Sequence, residues 1–132
     1  MKLSTKGRYG LMAMYRLSLN YGNGPTPIND IAKEEKLSEA YLEQLFTLLK
    51  KKNLVKSIRG AAGGYELAKS PSEIKIGEIL NALEGDIALS CSSMNIKPEC
   101  RNVETCPTRE ILEKLQIKLE EVLDSMTLAD MR

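Results

Sequence analysis

Between Ser38 and Ala68 the chain changes period. Leu42, Leu45, Phe46 and Leu49 recur at helical spacing and define a helix from Glu39 to about Lys51. Two short apolar runs follow, Leu54 to Ile58 and Tyr65 to Ala68, which read as strands joined by the basic, glycine-rich tip RGAAGG, Arg59 to Gly64. A helix that must bury one stripe, followed at once by a hairpin, admits few arrangements. The rest of the chain has to supply what covers that stripe.

The preceding residues do so in a legible order. Leu11, Met12, Tyr15 and Leu19 place a first helix over Ser4 to Tyr21, and GNGPTP, Gly22 to Pro27, breaks it. Ile28, Ile31 and Ala32 give a short second helix ending near Lys36, and Ser38 is a good N-cap for the third, with Glu39 at its positive end. Asn53 suits a left-handed stop. Two short helices in tight succession, the second showing Ala40, Tyr41, Glu43, Gln44, Thr47 and Lys51 on its outer face, form a helix-turn-helix pattern. The hairpin then reads as a wing. Its small residues let backbone approach phosphate, and Arg59 stands where an arginine can enter a minor groove.

Charge agrees with that placement. Residues 1–60 carry 11 Lys and Arg against 5 Asp and Glu, and residues 61–132 carry 8 against 13, under an overall charge of +1. A basic half beside an acidic half suits one part that meets a polyanion and one that does not. No apolar run approaches the roughly 18–20 residues of a membrane span, so the expectation is a soluble, cytoplasmic protein without a membrane partner. With no histidine, no glycine-rich phosphate loop before a helix and no paired carboxylates that can be placed, an enzyme is not expected.

The acidic half holds every cysteine. Ile76, Ile79, Leu80 and Leu83 make a fourth helix stopped at Gly85, and Cys91, Cys100 and Cys106 follow at C-x8-C-x5-C spacing. That spacing is too wide for the two-residue knuckles of structural zinc and suits a loop around an iron–sulfur core, with buried thiols or a redox pair as the alternatives. From Thr108, a cap preceded by Pro107, a long helix runs to about Ser125. Its stripe of Ile111, Leu112, Leu115, Leu119, Val122, Leu123 and Met126 is better covered by a second copy than left to water. A two-fold protein would also match a two-fold operator. The expected fold is mainly α with a small β-hairpin wing: a winged helix-turn-helix domain over residues 1–85, a cysteine loop over 86–107 and a dimerisation helix with the C-terminal end over 108–132, packed as one unit per subunit.

MKLSTKGRYGLMAMYRLSLN, SEAYLEQLFTLLKKKNLVKSIRGAAGGYELAK and the three-cysteine loop together resemble the IscR-type regulators, winged-helix transcription factors that sense iron–sulfur clusters. The resemblance runs from Met1 to about Met131. It implies a homodimer on double-stranded DNA, a [2Fe-2S] cluster on Cys91, Cys100 and Cys106, control of cluster-assembly genes and contact with cluster-assembly scaffold proteins. It places Tyr41, Glu43 and Gln44 in the major groove and Arg59 in the minor groove. Gln44 can pair with an adenine edge, and Glu43 can accept from a cytosine amino group while penalising sites that offer it no donor. Thr47 shares that face, Lys50, Lys51, Lys52 and Lys56 suit phosphate, and Gly60, Gly63 and Gly64 shape the wing.

One departure matters. IscR-type proteins commonly supply a histidine three residues after the last cysteine, where this chain has Arg109, whose guanidinium offers donors but no acceptor lone pair. The fourth ligand is open among Glu99, Glu104, Glu110, the weaker donors Ser92 and Ser93, water and a residue of the other subunit. A nitric-oxide-sensing branch uses an aspartate from the other subunit, where this chain has Arg8. Two other readings stand beside the cluster sensor: a cluster- or zinc-carrying interaction module, and a thiol- or nitric-oxide-sensing repressor of the same fold.

Overall fold

The computed structural model describes residues 4–85 and 107–131. Among these, the order is α1 (Thr5–Leu19), α2 (Ile28–Glu35), α3 (Glu39–Lys51), β1 (Val55–Ile58), β2 (Gly64–Leu67), a 3₁₀ turn at Pro71–Glu73, α4 (Ile76–Glu84), α5 (Pro107–Ser125) and a last 3₁₀ turn at Leu128–Met131. The strands pair antiparallel, Val55 opposite Leu67 and Ile58 opposite Gly64. The expected class, mainly helical with a hairpin wing, is the one observed. Strand pairing starts a residue later than expected at Val55 and ends earlier at Leu67, although the Ala68 N–H still donates to the Leu54 carbonyl at 3.0 Å.

The helix-turn-helix is closed by local chemistry. Lys36 takes the left-handed conformation at φ 55°, ending α2 one residue after Glu35, and the Leu37 N–H donates back to the Ala32 carbonyl at 3.0 Å. Ser38 Oγ accepts from the Tyr41 N–H at 3.1 Å and starts α3, while Asn53 at φ 59° turns the chain out of it. Leu42, Leu45, Phe46 and Leu49 are all buried among Met14 and Leu17 of α1, Ile31 of α2, Leu54, Val55 and Leu67 of the hairpin, and Ile79 and Leu83 of α4. The stripe of α3 is the centre of the core.

α1 buries a different face from the one its large residues suggest. Gly7, Gly10, Ala13, Met14, Leu17 and Ser18 are buried, whereas Met12 and Leu19 are exposed. The cause is close approach. A Cβ on Gly10 would stand 2.1 Å from Leu83 Cδ1, so α4 lies nearly against the α1 backbone and larger side chains are displaced to the flanks. The contact is completed by Glu84, the last residue of α4. Its Oε1 accepts from the Ser4 N–H at 3.2 Å, the Gly7 N–H at 2.9 Å and the Ser4 hydroxyl. A carboxylate from another helix thus satisfies two of the free donors at the start of α1 and lies at the positive end of its dipole.

The chain end returns to the core, which the apolar pattern did not signal. Thr127 pairs with Lys75 as an antiparallel bridge, the Ile76 N–H donates to the Met126 carbonyl at 2.9 Å, and the Leu128 N–H donates to the Ile74 carbonyl at 2.8 Å. Leu128 is fully buried. α5 begins at Pro107 itself, so Thr108 lies inside the first turn instead of capping it; proline suits that first position, where no N–H is needed. Ile111, Leu115, Ile117 and Val122 are about half exposed, while Leu112, Leu119 and Leu123 are partly covered and Leu123 Cβ lies 3.0 Å from where a Gly77 Cβ would stand.

Leu128→Ala is expected to lower the unfolding free energy by about 2–5 kcal/mol, as a core truncation does, read from the urea midpoint at unchanged slope. Lys118→Ala on the outer face of α5 is expected to stay within about 0.5 kcal/mol of the parent.

Candidate nucleic-acid interface

The outer face of α3 follows from its inner one. Once Leu42, Leu45, Phe46 and Leu49 are buried, Glu43, Gln44, Thr47, Lys50 and Lys51 are exposed by helical geometry and Tyr41 is left half-buried. Thr47 Oγ1 donates to the Glu43 carbonyl at 2.7 Å, so its hydroxyl proton is engaged and it faces outward as an acceptor. Lys50 Nζ donates to Ser57 Oγ at 3.0 Å, joining α3 to β1.

The hairpin is held against α3 from two directions. Tyr65 of β2 stacks on Phe46 of α3 with ring centroids 4.4 Å apart and planes 11° from parallel. Tyr65 also exchanges both backbone hydrogen bonds with Thr26, at 2.8 and 2.9 Å, so the loop after α1 is tied to the sheet edge by one isolated antiparallel bridge. Two glycines make this possible. A Cβ on Gly64, at φ 155°, would stand 2.1 Å from the Thr26 carbonyl oxygen, and one on Gly63 would stand 2.2 Å from the Ile58 oxygen. Sequence reasoning assigned both to phosphate approach; the folded backbone itself requires them. Gly60, at φ 112° with nothing within 4 Å, lies free at the tip.

Arg59 is exposed where β1 enters the tip. Lys56 stands elsewhere. Val55 and Ser57 share the strand face turned to α3, so Lys56 lies on the opposite face, where it pairs with Glu66 across the ladder at 3.3 Å. Lys52 is exposed at the end of α3. Between α3 and the wing lies an open groove of ≈ 410 Å³ whose lining includes Asn29, Glu39, Glu43, Ser57, Ile58 and Tyr65. Helix, groove and wing form one continuous surface, with the Glu39 and Glu43 carboxylates at the groove and the exposed Arg59 at the tip. On the other flank of the same helix end, Tyr9 of α1 meets Tyr41 edge-on, centroids 6.2 Å apart at 86°. Sequence reasoning missed Ser57, Tyr65 and Tyr9; the stacked and edge-on ring pairs that single two of them out exist only in three dimensions.

Cys91, Cys100, Cys106, Glu99 and Glu104 lie outside the described residues, as do Ser92 and Ser93. Among the described residues, no group of three or more histidine, cysteine or acidic side chains is placed to hold a metal ion. Glu110 is exposed in the first turn of α5, with only a surface contact to Lys114 at 3.5 Å, and Arg109 donates to Glu113 at 3.0 Å. The donor set fits an iron–sulfur group: three thiols in one segment, followed within four residues by a solvent-facing carboxylate. No described helix is long and apolar enough to cross a membrane.

A family model described as "Rrf2: Iron-dependent Transcriptional regulator" matches residues 3–132. The HTH-type transcriptional regulator CymR of Bacillus subtilis is 45% identical over 131 residues, covering 99% of this chain and 89% of the relative. Its solved structure, described as the global cysteine regulator of that organism, superposes with a TM-score of 0.79, covering 99% of this chain and 95% of that one. The HTH-type transcriptional regulator IscR of Escherichia coli is 38% identical over 132 residues, covering 99% of this chain and 80% of the relative. The structure of T. potens IscR is 46% identical with a TM-score of 0.77, covering 99% of this chain and 85% of that one.

Gly64→Ala is expected to break the Thr26–Tyr65 pairing and cost more than about 1 kcal/mol, because φ is positive and the Cβ meets backbone. Faster amide exchange at Thr26 and Tyr65 would report it, with Ala62→Gly at the exposed tip leaving both amides protected.

Proposed function

The chain belongs to the Rrf2 family of transcriptional regulators, and from that premise we propose that it is a cytoplasmic, homodimeric, sequence-selective DNA-binding regulator whose cysteine segment tunes its hold on a two-fold operator. The observation that carries the reading is the outer face of α3 held rigidly beside the wing by the Phe46–Tyr65 stack and the Thr26–Tyr65 pairing.

The roles divide by chemistry. Gln44 and Glu43 read base edges, Gln44 toward adenine and Glu43 toward a cytosine amino group, and Glu43 disfavours sequences without such a donor. Tyr41 and Thr47 complete the helix contact. Arg59 enters the minor groove from the wing, beside the free glycine at position 60. Lys50, Lys51 and Lys52 neutralise phosphate without reading sequence. Lys56, already paired with Glu66, contributes less to that neutralisation than the other three. Ile111, Leu115 and Val122, exposed along α5, and Met126 just beyond it supply the dimer contact.

For the sensor, Cys91, Cys100 and Cys106 would hold a [2Fe-2S] cluster, with Glu110 among the candidates for the fourth position. Such a cluster supplies redox- and oxygen-sensitive iron–thiolate bonds. The protein's own part is to couple the order of that segment to the spacing of its two winged domains. A difference of ~1–3 kcal/mol between the two arrangements suffices to switch operator occupancy. Repression of cluster-assembly genes would be the corresponding output. A second reading, sensing by the thiols themselves without a cluster, is favoured by likeness to a relative described as a global cysteine regulator and by Arg109 at the position of the family's histidine.

Anaerobically purified protein is expected to show visible iron–sulfur absorption that is lost in Cys100→Ala, with different operator affinity in loaded and stripped protein. Colourless protein that still switches with thiol oxidation would select the second reading. Arg59→Ala is expected to cost about 1–3 kcal/mol of operator binding, while Lys51→Ala lowers the slope of log affinity against log salt by about 1. Duplex binding indifferent to salt and sequence would overturn the DNA assignment. Leu115→Glu is expected to give monomers in sedimentation and to weaken two-fold operator binding more than half-site binding.

A further inference from the structure

Tyr9 lies outside the helix-turn-helix, in the second turn of α1, and is 38% exposed. Its one aromatic neighbour among the described residues is Tyr41 of α3, met edge-to-face at 6.2 Å and 86°. Tyr41 sits in the first turn of α3, its N–H held by Ser38 Oγ, at the end of a recognition helix that reaches base edges. A half-buried tyrosine on a helix has more than one staggered position open to it, and a perpendicular ring packed beside it narrows that freedom.

The placement of Tyr9 is also secured by contacts other than the one with Tyr41. Gly10 lies against Leu83, and the Glu84 carboxylate takes up the Ser4 and Gly7 N–H groups one turn before Tyr9. The start of α1 is thus fixed to α4, and the ring it carries is a firm support for Tyr41.

We propose that Tyr9 is a positioning residue for DNA readout: it holds the Tyr41 ring in one orientation and so sets where the first turn of α3 meets the base edges. The inference rests on the DNA-binding reading above. Precision of this kind affects selective binding and leaves phosphate attraction untouched, because only base-edge contacts need the ring in place.

The test uses a duplex selected from a random library by the full-length wild-type chain, with a scrambled duplex of equal length. Tyr9→Leu is expected to lose roughly three- to ten-fold in affinity for the selected duplex, and Tyr9→Phe, which keeps the ring, to stay within about two-fold. Affinity for the scrambled duplex, the salt slope and the melting temperature are expected to match wild type in both. Tyr9→Leu combined with Tyr41→Leu should bind no more weakly than Tyr41→Leu alone. Wild-type binding by Tyr9→Leu overturns the inference, as does equal loss on both duplexes with a lower melting temperature, which marks a purely structural role. Loss by Tyr9→Phe as large as by Tyr9→Leu also overturns it, since the hydroxyl would then be touching DNA directly. A wild-type chain that selects no duplex sinks the DNA-binding reading itself, a result distinct from the other three.

Discussion

Burial of one side of α3 governs the molecule. Leu42, Leu45, Phe46 and Leu49 are covered by α1, α2, α4 and the hairpin, so every neighbouring element is placed by contact with this helix. Phe46 has the largest share in that. It is fully buried and stacked on Tyr65, so one side chain ties the helix that projects outward to the strand that leads to the wing. Filling the core and shaping the surface are therefore one constraint. A cavity at Phe46 would be a loss of hydrophobic burial and of wing register together.

Charge is distributed between holding the fold and facing outward. Arg16 on α1 spans to α2, bonded to Glu35 at 2.7 Å and to Glu34 at 2.7 Å, and the Glu35 hydrogen bond with the nearby carboxylates raises the guanidinium pKa above its ordinary value. Lys56 and Lys69 are likewise paired with acidic neighbours. Of these pairs only Lys56–Glu66 sets an acid from beyond residue 60 against the cationic excess of the first 60 residues, since Glu34 and Glu35 already count within it. What remains around α3 and the wing is Lys51, Lys52 and Arg59, with Lys50 bonded to a neutral hydroxyl.

Much of this was legible in the residues, and the exceptions share a cause. Ser38 as a cap, Asn53 as a left-handed stop and Gly85 as the end of α4 are local events, decided by groups a few residues apart, and they stand where the pattern placed them. The buried face of α1, the return of Leu128, the Thr26–Tyr65 bridge and the Lys56–Glu66 pair depend on partners in other elements, and no local spacing encodes those. Gly63 and Gly64 show the same limit from the other side. Their importance was evident, but its reason lay in Ile58 and Thr26, whose carbonyls leave no space for a side chain. The surface of α3 could be read early because helical geometry assigns it once the core face is known; the aromatic braces at Tyr9 and Tyr65 could not.

The mooring of the chain end has a mechanical consequence. Thr127 and Leu128 are laced to Lys75 and Ile74, so α5 is pinned at its far end, while Pro107, where the cysteine-bearing stretch delivers the chain, opens the near one. At 1.5 Å per residue the 19 residues of α5 span roughly 28 Å, so a tilt of about five degrees at the pin sweeps the opposite tip through about 2.5 Å. By that geometry, any change in how α5 seats on Gly77 near the mooring is enlarged at its other end.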